Sequence, residues 1–582
     1  MAARLKRLLR CIPQPSFRPG RRRRKLFGFA TAFFQKTMPD RSGRREEHMK
    51  PKVFDIIIIG RGPVGLTMAA TASQLGLSVA IVEKHRDLYG LPRAGHLDHE
   101  IVRLLQSIDC AEEMLADSYP TTEYVWVNAD GELLLEFDWG EKGISGYNSD
   151  YMQFQPVFEN AISKRLDKDP NITQFLEFEA QDFDDDGAKV TLTIAKTQLQ
   201  AGNLRPVATN EKQVISGLYV VAADGANSGM RNHLGIERED LFFNEKWLVV
   251  DARKKREIDF EFDCGQICDP RRPVTVLPLG KRHRRWEWAL LPGENPADME
   301  KPEKAWELLA ERGITPDDVE IVRQLVYTFE ARHALEWRRG RVFLMGDAAH
   351  TTPPFMGQGM CSGMRDAKNL AWKLDLVRRG VADEALLETY EQERSPHTRD
   401  WTLISLEAGK VPCTLDPEEA RIRDQKFRDG WMPPMPDFPK LESGVLALDG
   451  NGRPLGLAGT LGLQAVVEKD GRRELFDEFY PSSRFVVIST KADPSSVLSP
   501  EQKAALERVG VHFVYVARSG PADVIDVDSA YTDYFAANGL EAVIHRPDFY
   551  VFGGVPKLED LGGLVDELLT RLHFIPHEVE MA

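Results

Sequence analysis

The chain has 582 residues and a formal net charge of −15, with 42% hydrophobic and 28% charged residues. These ordinary proportions indicate a globular protein and exclude a collagen, a coiled coil and a disordered chain. The charge is unevenly divided, because residues 1–50 carry 15 basic and 3 acidic side chains, which leaves −27 for the remainder. Residues 51–582 are therefore too acidic to be a good candidate for non-specific binding to nucleic acid, which needs a basic surface.

The basic N-terminal segment, residues 1–50, contains five consecutive basic residues followed by a run of nine apolar or small ones. Three interpretations stay open: a start assigned too early, with the natural start at Met38 or Met49, a targeting segment, or a basic arm. The favoured one is a misassigned start or a disordered extension. The apolar run is short and has no small-residue cleavage site at its end.

Membrane and metal chemistry have no signal in the sequence. No apolar stretch approaches the ~18 residues that a membrane span needs. The six cysteines form no CxxC pair and no Cys/His group at zinc spacing. We therefore predict a cytoplasmic protein with reduced cysteines, no metal site, and neither membrane nor nucleic acid as a partner.

The first predicted element is a strand over residues 53–59, an unbroken apolar run typical of a strand buried on both faces of a parallel sheet. A turn with Gly60, Gly62 and Gly65 in GxGxxG spacing follows, then a helix, and then a strand that ends in Glu83. These glycines permit a tight turn, close approach to a pyrophosphate, and close helix–strand packing. The helix N-terminus attracts phosphates, and Glu83 accepts hydrogen bonds from a ribose. The pattern predicts dinucleotide binding without distinguishing FAD from NAD.

Further motifs follow two later apolar strands, predicted over residues 218–223 and 342–345. In chain order they are Asp224-Gly225, Gly346-Asp347, Pro353 and Gly357-Gln358-Gly359. Asp-Gly and Gly-Asp pairs are common turn formers, but glycine N–H groups at a helix start also stabilise negative charge on a reduced flavin. The order and strand context of the motifs favour FAD over a simple NAD-dependent dehydrogenase.

Together these motifs resemble the single-component (group A) FAD-dependent aromatic hydroxylases, and most closely the 3-(3-hydroxyphenyl)propionate hydroxylases, from about residue 52 to the C-terminus. The resemblance implies a p-hydroxybenzoate hydroxylase-like α/β fold: a Rossmann-like FAD-binding domain with an inserted β-rich substrate domain, plus a C-terminal thioredoxin-like α/β domain. It implies that Asp347 binds an FAD ribitol hydroxyl and that Pro353 and the turn at 357–359 lie against the isoalloxazine. Arg93 and Gln155 match cofactor-contacting positions, and the Asp224 motif serves FAD and, indirectly, the nicotinamide donor.

The reaction implied by the resemblance uses NADH or NADPH to reduce FAD, which with O₂ forms a flavin C4a-hydroperoxide that hydroxylates a phenolate-activated ring. The expected substrate is a phenolic aromatic acid such as 3-(3-hydroxyphenyl)propionate, in aromatic catabolism. The alternatives are another phenol or heteroaromatic, or a non-catalytic FAD-binding redox protein. A general base must help to deprotonate the phenol. We predict Asp98 for this role, with His96 and His99 in reserve, and a helix N-cap as the other interpretation of Asp98.

The strand-rich region between the second and third motifs is predicted to bind the substrate. Four of its arginines are candidates for a substrate carboxylate or are solvated surface residues: Arg271, Arg272, Arg284 and Arg285. Trp286 and Trp288 resemble the WxWxIP motif of flavin halogenases, but the proline falls one residue late and no isoleucine precedes it. Their spacing predicts instead that both lie on one face of a β-strand.

Six segments are predicted along the chain. They are the N-terminal extension (1–50), the FAD-binding domain in two parts (51–235 and 336–410), the substrate-binding domain (236–335), a Pro-rich linker (411–450) and the thioredoxin-like domain (451–582). The last segment contains no cysteine, because the final one is Cys413. Thiol–disulfide chemistry is thereby excluded there, which leaves packing or formation of a homodimer as its role.

Overall fold

The computed structural model describes residues 53–119, 121–200, 205–432 and 438–576, all of which belong to one compact unit. The N-terminal extension, residues 1–50, lies outside the described residues, so its interpretation as a misassigned start or disordered arm stays a prediction. Within the described ranges, no helix combines the length and the apolar character that crossing a bilayer would require.

Runs of consecutive strands are separated by single helices or by groups of helices along the chain. The helices are α1 (Pro63–Gln74), α2 (His99–Ser107), α3 (Ala111–Asp117), α4 (Gln155–Leu166), α5 (Gly229–His233), α6 (Pro296–Met299), α7 (Pro302–Ala310), α8 (Gln358–Arg378), α9 (Thr389–Lys410), α10 (Pro417–Arg428), α11 (Pro500–Val509), α12 (Ala530–Asn538) and α13 (Leu561–Arg571). The strands are β1 (Val53–Ile59), β2 (Val79–Glu83), β3 (His96–Asp98), β4 (Glu123–Asn128), β5 (Leu133–Asp138), β6 (Asp150–Met152), β7 (Ile172–Leu176), β8 (Phe178–Asp185), β9 (Val190–Gln198), β10 (Val207–Ala222), β11 (Arg238–Lys254), β12 (Gly265–Cys268), β13 (Val274–Leu279), β14 (His283–Ala289), β15 (Val319–Ala334), β16 (Arg338–Arg339), β17 (Val342–Leu344), β18 (His350–Thr351), β19 (Val466–Lys469), β20 (Arg472–Leu475), β21 (Phe485–Ser489), β22 (Val511–Ala517), β23 (Val524–Ile525), β24 (Ala542–His545) and β25 (Val551–Val555).

The first sheet has the strand order β16-β17-β10-β1-β2-β7, in which β17, β10, β1, β2 and β7 run parallel. Its strand β1 is the predicted apolar run, α1 packs on β1 and β2, and α8 packs on α1. Ile59 pairs with both Ala222 and Val82, and Ala222 pairs with Leu344. The carboxyl ends of four strands therefore fall in one row, and a ligand site is expected at that edge.

The second sheet has the order β18-β15-β11-β14-β13-β12-β4-β5. One face is covered by α6 and α7, and Trp286 and Trp288 are buried in that apolar layer, which confirms their predicted placement on one face of a strand. The opposite face looks toward the first domain, because Arg285 donates to the backbone carbonyl of Arg93 over 2.7 Å. The predicted segment 236–335 is too short for this sheet, because β4 and β5 join it from within 51–235.

The C-terminal residues form the third layer, an α/β unit with the strand order β20-β19-β23-β22-β21-β24-β25. The predicted linker, 411–450, is not linker throughout, because α10 lies inside it. Asp416 caps this helix by accepting from two backbone N–H groups, and Pro417 occupies its first position, which is a favourable start for a helix. The prolines thus flank a helix whose buried Arg423 donates to the carbonyl of Cys268 over 2.7 Å.

Candidate FAD and substrate site

The glycine-rich turn after β1 needs its glycines for space. A Cβ atom on Gly60, whose φ is +106°, would lie 2.3 Å from the carbonyl oxygen of Ala223, and one on Gly65 would lie 2.1 Å from that of Gly60. Gly62 differs, because the nearest atom to its Cβ position is Nη2 of Arg93, 3.6 Å away. The turn is therefore packed tightly on the sheet but stays open in front of Gly62, where the pyrophosphate is predicted.

The predicted acid at the end of β2 holds this turn in place. Glu83 accepts hydrogen bonds from the backbone N–H groups of Arg61 and His85, each over 2.9 Å. A carboxylate has about four acceptor positions. These two bonds leave acceptor positions of Glu83 open, so the hydrogen bond from a ribose to Glu83 stays a prediction.

Gln155 positions the segment that carries Arg93. Its Oε1 accepts from the backbone N–H groups of Arg93 (3.1 Å) and Ala94 (2.8 Å), and its Nε2 donates to Glu159 (2.8 Å). The side chain of Arg93 is 51% exposed and lies 3.6 Å from Glu159. Arg93 therefore reaches into the open space before Gly62, while Gln155 acts through the backbone.

The two aspartate motifs meet at the same edge of the first sheet. Asp224 accepts from the backbone N–H of Met230 over 3.2 Å, while its other oxygen is buried without a partner among the described residues. Gly225 has φ +84° and nothing described within 4 Å of its Cβ position. Asp347 follows Gly346, whose φ is +57°, and its side chain is exposed. The surrounding protein atoms nevertheless desolvate the carboxyl group and raise its pKa, while attraction to His350 and Arg93 acts in the opposite direction. An exposed but desolvated carboxyl indicates a narrow recess.

Two helix N-termini open into this region. Gly62 precedes α1 and Gly357 precedes α8, and neither helix has a side-chain cap or an acidic residue in its first turn. Their free N–H groups and positive dipole ends suit anionic groups. The residues present therefore fit FAD, and the placement of the pyrophosphate at α1 and of the flavin's electron-rich edge at α8 stays a prediction.

The turn before α8 rests on a buried polar cluster. Gln358 accepts from Nη1 of Arg365 (2.8 Å) and donates to Asp98 (3.0 Å), while Arg365 also forms ion pairs with Asp98 and with Glu100 (2.5 Å). Pro353 is buried, and its carbonyl accepts from Ser405 over 2.7 Å. These bonds hold the side chain of Gln358 and the backbone of Pro353, and thereby position the turn Gly357-Gln358-Gly359.

Asp98 is the N-cap of α2, since one of its oxygens accepts from the backbone N–H of Ile101 over 3.0 Å. Burial, the largest single effect, would raise its pKa, but attraction to Arg365, His99 and His96 and the hydrogen bond from Ile101 together outweigh burial and hold the pKa well below its usual value of 3.8. Both oxygens are occupied, and a carboxylate with a lowered pKa is a weak proton acceptor. The arrangement argues against the predicted role of Asp98 as general base and gives it a positioning role instead.

We expect Asp98→Asn to lower thermal stability, FAD retention and hydroxylation together. The amide still caps α2, but Arg365 loses one of its two carboxylates, at a cost of about 1–3 kcal/mol. The matched control is Asp416→Asn, which alters the N-cap of α10 at an exposed carboxylate that accepts from the backbone N–H groups of Glu418 and Glu419. Hydroxylation lost with FAD retention and stability unchanged would instead restore Asp98 as the base.

The inner face of the second sheet supplies an aromatic and polar wall. The hydroxyl of Tyr124 accepts from Gln266 over 2.8 Å, and Thr275 donates to Gln266 over 2.7 Å. Trp139 stacks on Tyr124 with ring centroids 4.7 Å apart. Glu287 pairs with Thr275 across the strands, and burial raises its pKa against the opposing attraction of Arg285. Sequence reasoning missed Glu287, whose position between two tryptophans is the signal of an inward-facing residue.

Three of the four arginines proposed for a substrate carboxylate are already paired with carboxylates of the protein. The partners are Asp269 for Arg271 (2.7 Å), Glu294 for Arg272 (2.6 Å) and Asp251 for Arg285 (2.6 Å). Arg284 packs its guanidinium 3.5 Å from the ring centroid of Phe260, and burial lowers its pKa to about 10. Arg284 lies 5.8 Å from the ring of Trp286 on the face of β14 that α6 and α7 cover, so none of these four arginines offers a free cation on the inner face.

Comparison with known proteins agrees with this site. The family model described as FAD binding domain matches residues 53–403, and one described as HcaD C-terminal domain matches residues 459–571. A probable NADH-specific resorcinol 4-hydroxylase of Rhodococcus jostii (strain RHA1) is 34% identical, covering 90% of this chain and 96% of that protein. A 3-(3-hydroxy-phenyl)propionate/3-hydroxycinnamic acid hydroxylase of Comamonas testosteroni is 30% identical, covering 89% and 97%. The flavin-dependent monooxygenase PieE, solved with FAD and substrate, shares the fold, with a TM-score of 0.73 at 20% identity over 90% of this chain and 100% of that one.

The fold and the three motifs define a flavoprotein with an FAD-binding domain. The chain belongs to the single-component FAD-dependent aromatic hydroxylases. It is an FAD-dependent monooxygenase of aromatic rings that uses a nicotinamide donor, and the predicted p-hydroxybenzoate hydroxylase-like fold is confirmed.

Proposed function

We propose that this protein hydroxylates a small phenol with NADH as the electron donor, and that an uncharged dihydric phenol such as resorcinol is its substrate. One observation of the site carries this choice: three of the four candidate arginines are neutralised by Asp269, Glu294 and Asp251. A buried substrate carboxylate needs a cationic partner. The NADH-specific resorcinol hydroxylase relative supports both the donor and the ring.

The second candidate is a phenolic acid such as 3-(3-hydroxyphenyl)propionate. It is favoured by relatives that act on this compound and on 3-hydroxycinnamic acid, at 30% identity. For this substrate the cation must come from outside these four arginines, because Arg284, which forms no ion pair with a protein carboxylate in the described structure, lies on the face of β14 that α6 and α7 cover.

FAD, when bound, supplies the electron transfer from the nicotinamide and the activation of O₂. The protein binds and orients it: the N-terminus of α1 attracts the pyrophosphate, and the N-terminus of α8, held by Gln358, stabilises negative charge at the flavin edge. The aromatic wall of Tyr124 and Trp139 excludes water from the ring to be hydroxylated.

We expect resorcinol to stimulate NADH oxidation with stoichiometric O₂ uptake and a product heavier by one oxygen atom. The panel compares resorcinol with 3-(3-hydroxyphenyl)propionate, and NADH with NADPH. A kcat/KM higher for the phenolic acid would overturn the choice of substrate in favour of the second candidate. NADH oxidation that releases hydrogen peroxide without any hydroxylated product, for every phenol tested, would contradict hydroxylation of small phenols.

The proposal includes a cytoplasmic location and a homodimer. Sparse cysteines support the location. The C-terminal unit packs on the first domain through buried contacts, such as the ion pair of Arg103 with Asp477 over 2.7 Å. Packing is therefore one role of that unit, and dimer formation would be a second. Sedimentation of the holoenzyme tests the dimer, because a monomer at micromolar concentration would contradict it.

A further inference from the structure

We propose that Glu287 determines the substrate specificity of this hydroxylase, because it accepts a hydrogen bond from a hydroxyl group of an uncharged phenol and excludes ligands that carry a carboxylate. The inference rests on the function proposed above and names the residue behind its preference for an uncharged substrate. Three observations carry it: the place of Glu287 on the inner face of the second sheet, its sparse contacts, and the balance of charges around it.

Glu287 lies on the inner face of the second sheet. Its neighbours Trp286 and Trp288 are buried in the apolar layer beneath α6 and α7, and successive side chains of a strand point to opposite faces. The side chain of Glu287 therefore points away from that layer. Arg285, two residues earlier on the same face, donates to the backbone carbonyl of Arg93 over 2.7 Å. Glu287 is thus directed toward the domain that carries the FAD motifs.

Two contacts between the domains lie on either side of Glu287 along β14. One is the bond from Arg285 to the FAD-binding domain. The other lies next to Ala289, whose partner in β11 is Trp247. The ring of Trp247 has its centroid 6.2 Å from that of Phe355, just before the turn that starts α8. Glu287 therefore faces the space between these two contacts, and the substrate ring is expected there because that turn is predicted to lie against the flavin.

The carboxylate of Glu287 makes a single polar side-chain contact in the described structure, and that contact is long. Nη1 of Arg285 lies 3.5 Å from Oε1 of Glu287, while the same Nη1 already donates to a backbone carbonyl over 2.7 Å. The side chain of Glu287 keeps 7% of its surface accessible, and its second oxygen is not closed off from solvent. A buried carboxylate needs hydrogen-bond donors, and a phenol hydroxyl group in this space would supply one.

A row of polar side chains extends from Glu287 across the inner face. Thr275, the partner of Glu287 in β13, donates to Oε1 of Gln266 over 2.7 Å. Nε2 of Gln266 in turn donates to the hydroxyl oxygen of Tyr124 over 2.8 Å. The members of this row other than Glu287 are neutral, so the row holds no cation for a ligand carboxylate. Its hydroxyl and amide groups suit the hydroxyl groups of a phenol.

The charges around Glu287 cancel. Asp251 pairs with Arg285 over 2.6 Å and with Arg323 over 2.8 Å, so one carboxylate serves two guanidinium groups. Glu287 supplies the second negative charge, and the four side chains together carry no net charge. A ligand carboxylate beside Glu287 would therefore meet a like charge without gaining a cation of its own. Such a repulsive element selects against one ligand as effectively as a new contact selects for another.

The protonation behaviour of Glu287 agrees with this geometry. Burial raises the pKa of Glu287 and Asp251 acts in the same direction, while attraction to Arg285 and Arg323 acts against them. The raised pKa means that the surrounding protein groups do not fully compensate the charge of the carboxylate. A ligand hydroxyl group that donates to it would stabilise that charge, and a ligand carboxylate would destabilise it further.

The test compares two ligands of the same shape and different charge, 3-(3-hydroxyphenyl)propionate and its amide. Their dissociation constants for the oxidised holoenzyme are measured from the change in flavin absorbance, which requires no turnover. The titrations are made at about pH 8, because high pH favours the ionised form of Glu287. We expect the amide to bind at least ~10-fold more tightly than the acid in the wild type. Equal affinities for the two ligands in the wild type would overturn the proposal without any variant.

Glu287→Gln removes the charge, keeps the size of the side chain and leaves the inner face with a net positive charge. We expect the preference for the amide over the acid to fall by at least ~10-fold. Resorcinol should bind ~3–10-fold more weakly, because an amide oxygen is a weaker acceptor than a carboxylate. Glu287→Asp keeps the charge and should keep the preference for the amide. An unchanged preference in Glu287→Gln would overturn the proposal.

The matched control makes the same chemical change on the other face of the same sheet. Glu307 of α7 is 59% exposed and pairs with Lys304 over 3.0 Å, so Glu307→Gln should keep the preference of the wild type. Failure of the proposed function gives a different result. A wild type that binds the amide more tightly than the acid but hydroxylates no phenol would contradict the function and leave the role of Glu287 in place. Hydroxylation of resorcinol with an unchanged preference in Glu287→Gln would contradict only the role of Glu287.

Discussion

Gly65→Ala is expected to yield a folded protein that no longer retains FAD. The new Cβ would lie 2.1 Å from the carbonyl oxygen of Gly60, so helix α1 must move away from the turn. That movement withdraws the N–H groups that attract the pyrophosphate. We expect FAD affinity to fall by at least ~100-fold, or about 3 kcal/mol. The flavin absorbance per protein after gel filtration measures it.

The control for this variant is Gly563→Ala, near the start of α13, where nothing described lies within 4 Å of the Cβ position. It makes the same chemical change on a helix far from the three motifs and should retain a full complement of FAD. If Gly65→Ala also kept its flavin through gel filtration, the tight contact between Gly65 and Gly60 would not be needed for the cofactor site.

Arg546→Met is expected to destabilise the protein by about 3–5 kcal/mol, because it leaves buried carboxylates without their cation. Arg546 is fully buried and donates to Glu393 (2.6 Å), to Asp548 (2.6 Å) and to the carbonyl of Val445 (2.9 Å). Glu393 belongs to α9 and also pairs with Lys373 of α8 over 2.8 Å. The cluster thus joins the C-terminal unit to the helix that starts at the flavin turn. Urea unfolding of the holoenzyme measures the loss.

The surface pair of Arg518 and Asp533 provides the control, since Arg518→Met should cost no more than ~1 kcal/mol. A comparable cost for both variants would show that burial of the cluster is unimportant.

The same cluster predicts a dependence of stability on pH. Burial raises the pKa of Glu393, but Arg546 and Lys373 outweigh it and lower the pKa from 4.5 to about 2. The contribution of Glu393 is therefore complete above pH 4.5 and is lost as the pH falls toward 2. Arg546→Met raises the pKa of Glu393, so the acid loss should begin at higher pH.

Local patterns in the sequence sufficed for the elements that hold FAD. The strand predicted over 53–59 is β1 within the same bounds, and the strand predicted to end in Glu83 is β2. Such elements are readable because a buried parallel strand is apolar throughout and because tight turns require glycine. The order of three motifs was enough to select FAD, which the family confirms.

The partners of buried charges were beyond sequence reasoning. Asp98 was assigned as a base because related phenol hydroxylases place an acid in this segment, but its charge partner Arg365 lies 267 residues later. Asp150 was not singled out, although it lies 2.7 Å from His96. Helix α10 was hidden among prolines, and β4 and β5 joined a sheet predicted to lie elsewhere in the chain.

The sequence by itself determined the nucleotide-binding unit, because glycine turns, buried strands and helix starts are specified by adjacent residues, and the family resemblance of its motifs predicted the cofactor and the class of reaction. Only the tertiary structure decided which carboxylates are already neutralised and which arginines are already paired. Charges act on whatever lies within a few ångströms, and those neighbours come from distant parts of the chain. The charge partner of Asp98 could therefore be identified only after folding had placed Arg365 beside it.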